Sequence, residues 1–219
     1  MEDLDTGAVT PFHTFDPLQG ISIVELVEQL EEIRNGGIDQ LAELSMNDLD
    51  LGRKLQAEGI SLADGRGGVS WDDATLLFVA GRAIENDGGP AEPLERGISM
   101  ERLGRFPTSN GNAIGYLREY LIPENDGDSG VQLLTQLDAG LRHEVRGHDE
   151  LSVGFGGLIL HGWLTSGEVP QMRNYLEKAV WKVAKSEPLD GGVREIVRHL
   201  LIILKSAEKR DMGILMRAH

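Results

Sequence analysis

The apolar positions of this chain fall into helical stripes over most of its length, with one run of a different kind. After Ser22, residues Ile23, Leu26, Val27 and Leu30 recur at three- and four-residue spacing, with Ile33 one turn on. This predicts an amphipathic helix stopped by Gly36 and Gly37, with Ser22 and Glu25 as a capping box. Asp39 to Glu43 starts another turn, and Asn47 caps a short helix through Leu49, Leu51 and Leu55 that ends at Gly59. Ser70 caps a helix from Trp71 to Glu85 that is apolar around much of its circumference. Shorter patterns predict helices over Ser99–Arg105 and Asn112–Leu121, the latter ended by Pro123, and a longer one over Val131–Arg146. Thr165 with Glu168 forms a second capping box. From Pro170, Met172, Tyr175, Leu176, Ala179, Val180 and Val183 make a stripe to about Lys185. A last helix, capped by Asp190, is apolar on nearly all sides from Val193 to Leu204.

The exception is Leu151 to Thr165. Gly154, Gly156 and Gly157 interrupt its first half, and Leu158, Ile159 and Leu160 form a continuous apolar triplet before His161, Gly162 and Trp163. A short apolar run bounded by glycines reads as a strand buried on both faces. Its expected partner is Ile214–Met216, and its expected cover is the helices over 170–185 and 191–208. Residues 1–20 show no periodicity and read as an extended arm, with Phe12 and Phe15 tying it to the core. The expected fold is mainly α within the α+β class. It is a helical bundle-like domain of seven or eight helices with a small two- or three-stranded β element near the C-terminus. The turn cluster Glu124 to Gly130 suggests an acidic helical subdomain over 21–123 and a C-terminal helical subdomain with minor strands over 129–219. The alternative is one continuous domain.

Charge changes the picture more than composition does. The chain has 219 residues and a net charge of −15. Residues 1–52 hold twelve acids and one base, Arg34, a balance of −11, whereas residues 110–219 balance at 13 − 15 = −2. Nucleic acid and anionic membrane require clustered Lys and Arg, so neither is expected as a partner, while a basic protein would be attracted. There is no cysteine, which excludes disulfides, thiol catalysis and zinc–thiolate sites and fits a reducing compartment. The acidic start lacks the basic and apolar regions of a signal peptide, and no apolar run approaches a membrane span. The expectation is a soluble, cytoplasmic protein.

Few motifs carry chemistry. Gly127-Asp-Ser-Gly130 matches the tetrapeptide around the nucleophilic serine of chymotrypsin-like proteases, but those are β-barrels and here a helix follows at once. Glu124, Asp126 and Asp128 alternate as in calcium loops, yet Ser129 and Thr135 stand where an EF-hand needs Gly and Glu. His143, Glu144 and His148 lie close together, but the histidines are five apart instead of the four of a zinc helix. With the chain folded back, His143 or His148 with Glu144 and His161 would form a metal site and a hydrolase. The simpler reading is a polar helix end closed by Gly147. Neither glycine cluster, at Gly65–Gly68 or Gly154–Gly157, completes a phosphate loop, so no cofactor is implied.

One longer pattern points outward. His161-Gly-Trp-Leu-Thr-Ser-Gly-Glu-Val169 precedes an amphipathic helix. An apolar helix ending in Ile203-Leu-Lys-Ser-Ala-Glu-Lys209 follows, and then Asp211-Met-Gly-Ile-Leu-Met216. This resembles the C-terminal part of small bacterial proteins regarded as immunity-type proteins of toxin systems. The resemblance covers the last quarter to third of the chain, with Pro170 as a departure. It implies a non-enzymatic binding protein, with no catalytic residues to carry over. Together with the charge, it makes the leading expectation an acidic protein that occludes a basic partner, a toxin in the immunity manner. Its contacts would come from Glu25, Glu28, Glu31, Glu32, Asp39, Glu43, Asp48 and Asp50. The other expectations are the histidine-based hydrolase and a structural adaptor subunit.

Overall fold

The computed structural model describes residues 11–19, 22–85, 88–124, 129–178 and 181–219. The chain begins with β1 (His13–Leu18), α1 (Ser22–Arg34), α2 (Leu41–Asn47), α3 (Leu49–Ala57), α4 (Asp73–Gly81), α5 (Ile98–Gly104) and α6 (Ala113–Tyr120). It continues with β2 (Leu121–Pro123), α7 (Ser129–Ala139), α8 (His143–Arg146), β3 (Ile159–Leu164), α9 (Val169–Lys178), β4 (Trp181–Val183), α10 (Gly192–Lys209) and β5 (Gly213–Ala218). Short 3₁₀ turns at Arg66–Gly68 and Phe155–Gly157 complete it. The α+β class holds: helices dominate, with a three-stranded antiparallel sheet in the order β1-β5-β3 and a separate β2-β4 ribbon.

The sheet divides the interior. Along β5, Ile214 and Met216 point into one apolar cluster and Leu215 into the other, as the two-residue period of a strand requires. The first cluster is built mainly on α5, α6, α7, α9 and α10, the second on α1 to α4. Both clusters draw on both halves of the chain: Phe15, Leu103 and Ile114 belong to the first, and Leu141, Leu160 and Trp163 to the second. On β3, Leu160 and Trp163 face the same cluster although they are three residues apart. The register shift between Leu160 and Gly162 allows this, since a bulge inserts one residue and restores the alternation. Gly162 also lets α7 lie against the strand: a Cβ there would sit 1.8 Å from the Gln136 carbonyl oxygen.

The strand expected in Leu151–Thr165 is present as β3, with every residue from Leu160 to Leu164 buried, and it pairs with β5 as expected. Several local expectations are corrected. Residues 13–18, expected as an extended arm, are a sheet strand: β1 pairs along its whole length with β5, from His13 opposite Ala218 to Leu18 opposite Gly213, and Phe15 is in the core. Pro17 is tolerated there because β1 is an edge strand. The helix expected to Arg146 ends at Ala139; Gly140 breaks it, and the Leu141 amide donates to the His161 carbonyl instead. The helix expected to Lys185 does not reach it: α9 is described to Lys178, Ala179 and Val180 lie outside the described residues, and Trp181–Val183 is an extended segment paired with Leu121–Pro123.

Three caps fall elsewhere. Asp48, not Asn47, caps α3, and Asp72, not Ser70, caps α4. α10 starts at Gly192 with Gly191 at its N-cap, and Glu187 accepts from the Val193 amide at 2.6 Å in place of Asp190. Only one arm of the Thr165–Glu168 box forms: the Thr165 amide donates to Glu168 Oε2 at 2.7 Å, while the Glu168 amide donates to the Thr165 carbonyl oxygen instead of the hydroxyl. The Ser22 side chain and most of the Glu124–Gly130 turn lie outside what the structure describes. Among the described residues no helix is long and apolar enough to cross a membrane.

Candidate functional site

α1 orders its acids by helical geometry. Glu25, Glu28 and Glu32 share the side opposite the buried Ile23, Leu26, Val27 and Leu30. Facing them, α2 and the residue before it contribute Gln40, Glu43, Leu44 and Asn47, and the two helices enclose a groove of ≈ 370 Å³ that no Lys, Arg or His lines. On the other flank of α2, Ala42, Ser45 and Met46 face Leu55, Ile60 and Leu62 across a groove of ≈ 440 Å³. Met46 and Leu49 are each 69 % exposed, and Ile38 just before α2 is 68 % exposed. α2 buries only Leu41. The result is a raised seven-residue helix, acidic on one flank and apolar on the other. Exposed apolar side chains gathered beside charged ones are the usual chemistry of a protein interface.

The other four acids expected at the interface are engaged elsewhere. Glu31 turns away from the groove to Arg146, at 2.7 Å, and lies 3.6 Å from His148. Asp39 accepts from the Leu41 amide at 3.1 Å and the Arg66 amide at 2.6 Å, pinning the approach to α2. Asp48 accepts from the Asp50 and Leu51 amides at 3.0 Å as the N-cap of α3. Asp50 pairs with Arg53 at 3.0 Å on the surface. The structure therefore gathers Glu25, Glu28, Glu32 and Glu43 and disperses Glu31, Asp39, Asp48 and Asp50.

The histidine candidates do not converge. Glu144 pairs with Arg142 at 3.3 Å. His148 has Glu31 near Nε2, at 3.6 Å, and Glu150 near Nδ1, at 2.9 Å, so the two carboxylates stand on opposite edges of the ring. Arg34, in contact with Glu150, holds that carboxyl below its usual range. His143 sits on α8, and His161 is in the interior. Among the described residues, no group of three His, Asp or Glu side chains could hold a metal ion.

His161 belongs instead to a buried polar network that the sequence did not reveal. Its Nδ1 bonds the Asp138 carbonyl oxygen at 3.0 Å, and because a carbonyl only accepts, Nδ1 carries the proton. Asp138 is 4 % exposed and accepts from Asn112 Nδ2 at 2.6 Å and from Arg118. Burial pushes its carboxyl up, but His161, Asn112 and Arg118 outweigh that and hold it at about 2. The His13 ring meets the His161 ring edge-on at 4.9 Å, and burial, reinforced by His161, lowers the His13 pKa to about 4. Asn112, Arg118 and Asp138 also line a polar cleft of ≈ 540 Å³ with Arg142 and Glu144. Two ion pairs lie in it, Arg118–Asp138 and Arg142–Glu144.

Comparison with protein-family models, with curated proteins and with solved structures finds no match.

Proposed function

We propose that this chain is a binding protein whose α2 face covers a basic partner protein. The observation that carries the reading is the pairing of two grooves about one exposed helix. Four carboxylates without a lining cation lie on one flank, and Met46 and Leu49 stand exposed on the other. A basic amphipathic segment lying astride α2 would place its cations against Glu25, Glu28, Glu32 and Glu43. Its apolar side chains would enter the groove floored by Leu55 and Leu62. Electrostatic attraction would speed the encounter and set the choice of partner, and apolar burial would hold the complex. The resemblance of the C-terminal third to immunity-type proteins makes a basic toxin the first partner to test.

The test uses two double variants on different flanks: Glu28→Lys with Glu32→Lys, and Met46→Ser with Leu49→Ser. A lysine- and leucine-rich helical peptide is the probe, and a glutamate-for-lysine version is the control. The wild-type protein should bind the basic peptide and not the acidic one. Affinity should fall as salt rises for wild type, and the salt slope should flatten in the lysine variant. The serine variant should lose affinity at all salt concentrations with the slope kept. Equal binding of both peptides, or binding that neither variant changes, would sink the reading.

A further inference from the structure

The opposite side of the molecule carries the complement of the α2 face. On α10, Arg194, Arg198 and Lys205 stand at i, i+4 and i+11, so they fall along one stripe, with Leu201 and Ile202 between them. Trp181 of β4 borders the stripe, and together these residues line a depression of ≈ 600 Å³. Ile202 is 44 % exposed. In a chain of net charge −15 this face is cationic, and its neighbouring acids are already engaged. Glu195 lies toward His199 and Arg102, and Glu177 pairs with Arg173 and with Lys205 at 2.8 Å. Among the described residues Arg194 and Arg198 have no carboxylate in ion-pair range.

We infer that the α10 face docks onto the α2 face of a second copy of this chain. Both faces combine exposed apolar side chains with unanswered charge, and the charges are opposite: Arg194 and Arg198 on one, Glu28 and Glu32 on the other. The contact is between copies because α10 packs in the cluster on one side of the β1-β5-β3 sheet and α1 to α3 in the cluster on the other. One molecule cannot bring its own two faces together. Each copy then offers one face of each kind. Association is head-to-tail and does not stop at two unless the rotation between copies closes a ring. The basic stripe is a chemical stand-in for the basic partner, so partner and second copy compete for α2. The inference rests on the α2 face being a docking surface.

Sedimentation equilibrium of the purified full chain tests it without any partner. At physiological salt the weight-average mass should rise with protein concentration, and it should return toward the monomer in ~1 M salt, where the Debye length is only about 3 Å. Arg194→Gln with Arg198→Gln, and separately Glu28→Gln with Glu32→Gln, should each raise the dissociation constant about tenfold or more. All four residues are exposed, so both variants should keep the wild-type melting temperature, which shows that they fold. Mixing the two variants in equal amounts should restore association, but only as far as a dimer, because one intact pair of faces remains. A wild-type chain that stays monomeric up to ~1 mM, variants that associate like wild type, or a mixture that does not recover would each overturn the inference. If the peptide still binds in that case, the reading of α2 stands alone. If self-association persists while the peptide fails to bind, that reading falls instead.

Discussion

His13 is the residue whose environment most alters its chemistry. It is 2 % exposed, with an unpartnered Nδ1, and its pKa lies at about 4. Above pH ~6.5 the imidazole is neutral in both folded and unfolded chains, and stability does not depend on it. As the pH falls from 6.5 to 4 the unfolded chain takes up a proton that the folded chain refuses. Stability then drops by about 1.4 kcal/mol per unit, roughly 3 kcal/mol in all. His199 and His219 are lowered too, chiefly by burial, and act in the same direction. Asp138 acts at lower pH still: its contribution is lost only as the pH falls from the ordinary carboxyl range through about 2. Denaturant unfolding at half-unit steps from pH 7 to 4 checks this. His13→Gln should flatten the slope, and an unchanged slope would show that His13 is not the group responsible. Nothing in the sequence marked His13 or Asp138, because their partners are distant along the chain. His13 lies against His161, and Asp138 is held by Asn112 and Arg118.

At the scale of elements, helices were legible where the apolar stripe was long. α1, α7 and α10 carry their buried residues at the spacings the sequence shows. β3 and β5 were legible because short apolar runs bounded by glycine have few other uses. β1 was not, because His13-Thr-Phe-Asp-Pro-Leu18 has no clean alternation, and its extended shape is imposed by β5 about 200 residues away. β4 was read as helix for the same reason: three residues reveal no period, and pairing with β2 decides them.

Leu49 shows the limit of stripe reading. The sequence runs one short helix through Leu49, Leu51 and Leu55; in α3, Leu51 and Leu55 are buried, whereas Leu49, its first residue, is 69 % exposed. Among the acids, the sequence names Glu25, Glu28, Glu31 and Glu32 together, and α1 sets Glu25, Glu28 and Glu32 on one side. Glu31 is lost to Arg146, 115 residues further on, which no local pattern could announce. Two predictions belong at this scale. Gly162→Ala should cost about 3 kcal/mol or more, because the added methyl meets backbone of α7 instead of a side chain that could swing away. A melting temperature near wild type would show that α7 does not lie against the bulge. Met46→Ser with Leu49→Ser should change stability by no more than about 0.5 kcal/mol each, since neither side chain is in the core. A large loss in denaturant unfolding would mean that these residues pack, and that they are not kept exposed for a partner.

At the scale of the whole molecule, charge is sorted instead of spread. The sheet separates an acidic, partly apolar face on α1 and α2 from a cationic, partly apolar face on α10. The net charge of −15 was plain in the sequence, as was its concentration before residue 53. Its arrangement about one exposed helix was not, because that depends on which acids the fold uses to cap α3, tie down α8 and fix the turn before α2. The claim that α2 is the docking surface is tested most directly by co-purification from the native cell at physiological salt. Wild-type protein, Glu28→Lys with Glu32→Lys, and Met46→Ser with Leu49→Ser would serve as parallel baits, with captured proteins identified by mass spectrometry. The account predicts one basic protein in near-stoichiometric amount on wild type, sharply depleted on both variants and released as salt rises. A captured partner that is acidic, or that all three baits retain equally, would contradict it.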